Sequence, residues 1–274
     1  MHKIAVLQMN SGVDRHANCT AILSAIADAA SGGATMLFTP EMSTYLDQDR
    51  RRSAKHVMPE NDDPSLRAIQ QACAEHGIWV SLGSVPVALE NGKFANRAFV
   101  IDDGGAIVAR YDKMHMFDAE LENGESYRES SAYDAGDELI VVDTPIGRLA
   151  LTICYDIRFP ALFAALGKLE CDVIATPAAF TQPTGRDHWH VLQRARAIEG
   201  SAYCIAAAQT GHHQDGRATY GHSLVVDPWG KIILDMQDQV GVAFAEIDPE
   251  RIQQVRQQVP SLANRRDFTG MSEL

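Results

Sequence analysis

The sequence predicts an α/β fold, two mixed sheets stacked face to face and covered by helices, on three observations. Strand-like and helix-like segments alternate in the βαβ manner in places. Hairpin-type turns at Asn91-Gly92 and Asp103-Gly104-Gly105 interrupt that alternation and call for antiparallel neighbours. The 274 residues are 46% hydrophobic and contain no linker, low-complexity segment or short-period repeat, so one large core is the simplest count.

His2 to Met9 reads as the first strand. Between Asp14 and Ser31 the apolar residues Ile22, Ala25, Ile26 and Ala29 mark one helix face, and Gly32-Gly33 stops it. Ala34 to Thr39 is a second strand that delivers Pro40-Glu41 at its end. A helix follows Asp63-Pro64 and ends at Gly77; strands follow over Ile78 to Val85, Asn96 to Ile101 and Ala106 to Tyr111. Lys113 to Gly136 is polar, acidic and without period, and reads as a long loop of the kind that is functional or mobile. Leu139 to Val142 and Gly147 to Ile153 form the next strand pair. A helix is expected from Pro160 to Leu169, a strand from Asp172 to Thr176, and a helix from Asp187 to Ser201 with Val191, Ala195 and Ile198 on one face. Strands at Ala202 to Ala208, Ser223 to Val226, Lys231 to Leu234 and Val242 to Ile247 precede a last helix opened by Asp248-Pro249. Residues 1–260 are expected to form one domain and 261–274 a tail.

Twenty-four basic against 36 acidic residues give a net charge of −12, which argues against nucleic acid and anionic membranes as partners. The densest basic run, Arg50-Arg51-Arg52, reads as a solvated loop. No window approaches the roughly 18 apolar residues of a membrane span, and no secretory leader is recognisable. Five scattered cysteines without a C-x-x-C pair fit neither a disulfide framework nor a cysteine-rich zinc site, so the cytoplasm is the expected location. His188 and His190 are two apart on an expected helix and cannot share an ion, and His212-His213 read as a solvated pair. No metal site and no cofactor are expected. Serine-hydrolase, P-loop, dinucleotide and zincin motifs are missing.

What remains is a thiol with charged partners at strand ends. The apolar run Leu149 to Ile153 stops at Cys154, and Pro160 suits the first turn of the following helix. Cys154 therefore sits where a buried strand breaks open, with free backbone N–H groups nearby. A small buried hydrophobe is the commoner role for such a cysteine. Glu41 directly follows one strand and Lys113 another, and each taken singly reads as a surface charge. Thiol, carboxylate and ammonium together make a coherent catalytic set.

Pro40-Glu41, Tyr111-Asp112-Lys113-Met114-His115 and Cys154-Tyr155-Asp156-Ile157-Arg158-Phe159-Pro160 resemble the three signature blocks of the nitrilase (carbon–nitrogen hydrolase) superfamily. The resemblance runs from the first strand to Pro260. The blocks Thr184 to Trp189, Arg194 to Glu199, Ala206 to Gln209 and Tyr220 to Gly230 are more similar to deaminated glutathione amidases than to omega-amidases. The resemblance implies a four-layer α-β-β-α sandwich and a Glu-Lys-Cys triad of Glu41, Lys113 and Cys154. It also implies a second glutamate, matched by Glu129-Ser130 in a loop that Glu120, Glu122 and Glu125 also occupy. Ala161 departs from the pattern, since many relatives carry glutamate after the Arg-Phe-Pro run. The implied activity is cysteine-dependent hydrolysis of a small, carboxylate-bearing amide through a thioester, needing no cofactor or metal.

In that mechanism the Tyr155 backbone N–H joins Lys113 at the oxyanion, and Glu129 orients Lys113 or the substrate. Arg158, Arg186 and Arg194 are candidates for substrate carboxylates, with Phe180 and Thr181 lining the pocket. The family resemblance points to a homodimer or larger homo-oligomer, with the helices after Phe159 and around Val191 to Ile198 as contact faces. An omega-amidase, carbamoylase or nitrile substrate remains an alternative, as do a non-catalytic scaffold and a thiol protease.

Overall fold

The computed structural model describes residues 1–121, 124–266 and 270. The first half of the chain forms β1 (His2–Gln8), α1 (Arg15–Ser31), β2 (Met36–Phe38), a single turn α2 (Arg50–Ser53), α3 (Pro64–His76), β3 (Trp79–Ala88), β4 (Phe94–Ile101) and β5 (Ile107–Asp112). A small hairpin, β6 (Asp118–Glu120) with β7 (Ser126–Arg128), links the halves. The second half contains β8 (Val141–Thr144), β9 (Gly147–Leu151), α4 (Pro160–Lys168), β10 (Val173–Ala175), the short α5 (Gln182–Thr184), α6 (His190–Gly200) and β11 (Tyr203–Ala206). It ends with β12 (Thr210–His212), β13 (Ala218–Tyr220), β14 (Leu224–Val226), β15 (Ile232–Asp235), β16 (Gly241–Ile247) and α7 (Pro249–Gln258).

Two six-stranded sheets result, ordered β16-β1-β2-β3-β4-β5 and β15-β14-β11-β10-β9-β8. Both are mixed, with β1, β2 and β3 parallel in one and β9, β10 and β11 parallel in the other. Strand alternation separates the layers. Ile4, Val6, Met36 and Phe38 pack into the core shared with the second sheet, while Ala5, Leu7 and Leu37 pack against α1 and α3. Leu162, Phe163 and Leu166 of α4 and Ala197 of α6 extend the shared core on the far side. The layering is α-β-β-α, as the family resemblance implied.

Local chemistry explains the element ends. The Asp14 carboxylate caps α1 by accepting from the His16 and Ala17 amides, and Asp63 does the same for α3, with Pro64 in the first turn. Gly77 closes α3 in the left-handed conformation at φ 60°. Pro160 opens α4.

Several expectations change. The segment 113–136 is not structureless: it contains the β6–β7 hairpin and a 3₁₀ turn at Glu129–Ser131. Its three-residue strands are largely exposed, so no alternating apolar pattern announces them. The β12–β13 hairpin was hidden because its strands are three residues long and carry mostly polar residues and glycine, too few to show a period. Arg50 to Ser53 is helical because Asp49 caps it. His213 is buried, its ring placed between the Ser11 carbonyl (2.8 Å) and the Thr219 hydroxyl (2.7 Å), and is not part of a solvated pair. On α6 the apolar stripe of Val191 and Ile198 faces outward, 66% and 50% exposed. The buried face is Gln193, Arg196, Ala197 and Gly200. Arg196 can turn inward because its guanidinium donates to the Ile157 carbonyl and lies 4.8 Å over the Phe163 ring. Glu122 and part of the expected tail lie outside the described residues.

Candidate active site

The parallel strands of both sheets end at one edge, where open α/β sheets hold their ligands. Glu41 leaves the end of β2 through a tightly tied corner. Gly83 donates its amide to Thr39 Oγ1 at 3.0 Å, and the Met42 amide donates to Ser84 Oγ at 2.9 Å. A Cβ on Gly83 would lie 2.0 Å from the Thr39 carbonyl oxygen and 2.6 Å from that of Pro40. Lys113 follows β5, its amide donating to the Asn96 carbonyl at 2.9 Å. Cys154 begins a 3₁₀ turn after β9, its amide donating to the Pro177 carbonyl at 2.8 Å. Its φ of 47° is in the left-handed region, uncommon for a residue with a side chain and characteristic of functional turns.

These strand ends bring four sequence-predicted residues together. Lys113 Nζ lies 2.9 Å from Glu41 Oε1, and 3.0 and 2.8 Å from the two oxygens of Glu129. Glu41 Oε2 accepts from the Ala179 amide at 2.8 Å, and the Glu41 carboxylate lines the same cavity as the Cys154 thiol, on which its charge acts. Glu129 is fixed by the Phe117 amide at 2.6 Å. Asn96, absent from the expected set, donates through Nδ2 to Glu41 Oε1 at 2.9 Å and to Glu129 Oε1 at 3.1 Å. A fully buried asparagine within the apolar run of β4 was the sequence signal for it.

Burial and charge set the resting protonation. Burial pushes the Glu41 carboxyl up, but the Lys113 ammonium and its hydrogen bonds outweigh that and hold it below the usual carboxylate range. Burial likewise works against the Lys113 charge, and the flanking Glu129 and Glu41 carboxylates more than restore it. Burial, reinforced by the Glu41 charge, pushes the Cys154 thiol well above its ordinary value. The resting site is therefore a neutral thiol beside an ionised carboxylate, with an ammonium between two anions. That ammonium occupies the place a bound cation would take between Glu41 and Glu129.

The four residues open into a cavity of about 220 Å³, walled by Phe117, Tyr127, Tyr133, Thr181 and Thr219, with Arg50, Arg128 and Arg217 also contributing. Of the expected pocket residues, Thr181 lines it and Arg158, Phe180 and Arg186 do not; Tyr155 was expected to act through its backbone N–H, next to Cys154 in the turn, and not through its ring. The Tyr155 ring packs edge-on against Phe117 and Phe159. Arg158 lies 5.0 Å over the Phe180 ring, with its guanidinium 3.2 Å from His188 Nδ1. Arg194 donates to the Gly230 carbonyl at 2.8 Å, and Arg186 is exposed. Ala161 is exposed on α4 and lies outside the cavity wall, so its departure from the family pattern does not reach the site. Arg50 belongs to the basic run read as a solvated loop and Arg217 lies just before β13, so spacing revealed neither.

Comparison with known proteins agrees with this arrangement. The carbon–nitrogen hydrolase family model matches residues 3–257. A deaminated glutathione amidase of Yersinia enterocolitica is 38% identical over 271 residues, covering 98% of this chain and 94% of that protein. The crystal structure of the Caenorhabditis elegans NitFhit protein superposes with a TM-score of 0.90 at 38% identity, over 97% of this chain and 65% of that one. Saccharomyces cerevisiae Nit3, a member of branch 10 of the nitrilase superfamily, superposes with a TM-score of 0.85 at 27% identity over 94% of each chain. With strand ends that gather a thiol, two carboxylates and an ammonium, and a family match across nearly its whole length, the chain belongs to the carbon–nitrogen hydrolases, enzymes that cleave carbon–nitrogen bonds other than peptide bonds.

Proposed function

We propose that the protein is an amidase that hydrolyses a small, carboxylate-bearing amide of the deaminated-glutathione type through a Cys154 thioester. One observation carries the reading: the Glu41 carboxylate, whose charge acts on the Cys154 thiol, lines the same cavity as that thiol while Lys113 lies 2.9 Å from the same carboxylate.

The protonation pattern suits this chemistry. A thiol held neutral needs a base at the moment of attack, and an ionised Glu41 is in place to take the proton as sulfur bonds to the amide carbon. The oxyanion that forms is stabilised by the Lys113 ammonium and the Tyr155 backbone N–H; one such donor is worth about 3–4 kcal/mol. Protonated Glu41 then donates to the leaving nitrogen, and amine or ammonia departs as the tetrahedral intermediate collapses to the thioester. Glu41 next removes a proton from water, which attacks the thioester; the acid leaves and the sulfur regains its proton. Glu129 holds Lys113 from the opposite side to Glu41.

The relatives named deaminated glutathione amidase support a carboxylate-bearing substrate, and so do the cavity's cations. A protein of net charge −12 repels such an anion at long range, so local cations must hold it. Arg50 at the cavity carries no side-chain ion pair among the described residues, while Arg217 is tied to Asp215 at 2.7 Å. The exposed Val191 and Ile198, with Trp229 and Val259 also half-exposed, support a homodimer or larger assembly through the α4–α6 side. Five free, buried cysteines support a reducing compartment such as the cytoplasm.

The test compares amine release from deaminated glutathione with ammonia release from 2-oxoglutaramate, each for wild type and Cys154→Ala. Preference for the first substrate and a loss of about a thousandfold or more in the variant are expected. Wild-type turnover by Cys154→Ala refutes the mechanism, and preference for 2-oxoglutaramate refutes the substrate class.

A further inference from the structure

We propose that His190, His222 and Asp235 form a binding site for a divalent late transition-metal ion of the zinc or nickel class, separate from the catalytic cavity. The three come from different elements: the first turn of α6, the turn between β13 and β14, and the end of β15. One ligand atom from each lies within 4.8 Å of the others. His222 Nδ1 is 2.9 Å from Asp235 Oδ1, and His190 Nε2 is 3.1 Å from Asp235 Oδ2. A tetrahedral ion with bonds of about 2 Å keeps its ligands about 3.3 Å apart, so both carboxylate–imidazole pairs already stand near the required spacing.

The surroundings hold the ligands in place. His222 has a φ of 53°, and that strained backbone is anchored by its own amide to the Gln237 carbonyl and by the Trp189 indole N–H to its carbonyl at 2.8 Å. Its ring stacks on Tyr220 at 4.4 Å. Asp235 Oδ1 accepts from the Gln237 amide at 2.9 Å. Such outer partners orient ligands and sharpen affinity. The three side chains are each about a quarter exposed, so an ion can reach them and keep water on its remaining positions. Two imidazoles and one carboxylate favour zinc, nickel, cobalt or copper over magnesium or calcium. To ligate the ion, His190 Nε2 and His222 Nδ1 must present a lone pair, so any proton on the ring belongs on the other nitrogen. None of the three residues lines the catalytic cavity. Nothing in the sequence pointed to a metal site here, because the partners of His190 lie on distant segments and only the fold unites them.

The proposal is independent of the amidase reading, and its test avoids the active-site thiol. Untagged protein carrying Cys154→Ala is titrated calorimetrically with zinc chloride and with nickel chloride, and its thermal unfolding is followed with and without each. One ion per chain with micromolar affinity and a metal-dependent rise in Tm are expected, with no rise in magnesium chloride. Asp235→Asn, His190→Gln and His222→Asn should each weaken binding by about tenfold or more. Asparagine tolerates the positive φ at position 222, and Asp235→Asn keeps the side-chain shape should the other variants fail to fold. Equal binding by the folded variants and the parent overturns the site, as does no binding below about 1 mM; either result leaves an aspartate-bridged histidine pair only.

Discussion

Tyr111 donates its hydroxyl to the Asp156 carboxylate at 2.7 Å, and this bond fastens the strand that carries Lys113 to the turn that carries Cys154. Asp156 is fully buried and also accepts from the Ile153 amide at 2.8 Å and the His115 amide at 3.0 Å, with His115 Nδ1 at 2.7 Å. One side chain thus joins two signature blocks that lie about 40 residues apart in the sequence. Asp156→Asn keeps the shape but turns an amide N–H₂ toward donors. Leaving a buried donor unmatched costs about 1–3 kcal/mol, so the urea midpoint should fall by that equivalent and turnover should fall with it. Tyr111→Phe removes one bond only and should cost about 1 kcal/mol. Equal stability of Asp156→Asn and wild type would show that the tie is unimportant.

Among the described residues, Lys113 is the one cation paired with both Glu41 and Glu129, and its side chain is 2% exposed. Lys113→Met would leave two buried carboxylates facing each other. Breaking a buried pair by removing one partner costs about 3–5 kcal/mol, and the oxyanion donor is lost as well. Lys113→Met/Glu129→Gln should recover part of the stability and none of the activity. Denaturant titration and turnover of the single and double variants separate the two roles. Full recovery of turnover in the double variant would remove Lys113 from the chemistry.

The layered fold was legible because its long elements carry strong periods. Ile22, Ala25, Ile26 and Ala29 do form the buried stripe of α1, and α1 and α3 begin directly after Asp14 and Asp63, where the sequence placed the two helices. Glu41, Lys113 and Cys154 were legible because each sits in a block at a strand end. The α6 face was misread because its inward stripe contains Gln193 and Arg196, and a guanidinium buried over an aromatic ring looks like a surface residue in sequence. Asn96 and Arg217 were not found for a different reason: each acts through contacts made across the fold. The three-residue strands that carry the cavity wall have too few residues to display any period.

Glu41→Gln should separate the base from the nucleophile. The Glu41 charge helps to raise the Cys154 thiol, so neutralising it while Lys113 stays charged increases the thiolate fraction at a given pH. Iodoacetamide alkylation of Cys154 at pH 8 should be as fast as in wild type or faster, while amide turnover falls by about 10²–10⁴. A parallel loss of both rates would instead make Glu41 a structural support for the turn. Stability gives an independent check. Because Glu41 is held below its ordinary value, its contribution is present above pH 4.5 and is lost as the pH falls through its folded value. Wild type should therefore lose more stability than Glu41→Gln on acidification below pH 4.5, as read from urea midpoints.

Gly83 tests whether the spacing of the strand ends limits the chemistry. An added Cβ would meet the Thr39 and Pro40 carbonyl oxygens and the Pro177 Cβ at 2.0, 2.6 and 2.5 Å, so it presses on both the corner that delivers Glu41 and the segment that anchors the Cys154 amide. Backbone oxygens cannot swing aside as a flexible side chain does, and overpacking of this kind costs about 1–3 kcal/mol. A displacement of about 1 Å in a catalytic group costs about 10²-fold in rate, so turnover should fall further than stability alone accounts for. Gly105 serves as the comparison: an alanine there meets the Gln70 carbonyl at 2.4 Å, far from the cavity wall, and should reduce stability without a specific loss of turnover at temperatures where the variant remains folded. If Gly83→Ala and Gly105→Ala lose turnover only in proportion to the fraction unfolded, the close approach at Gly83 supports the fold and does not set the distance between Glu41 and Cys154.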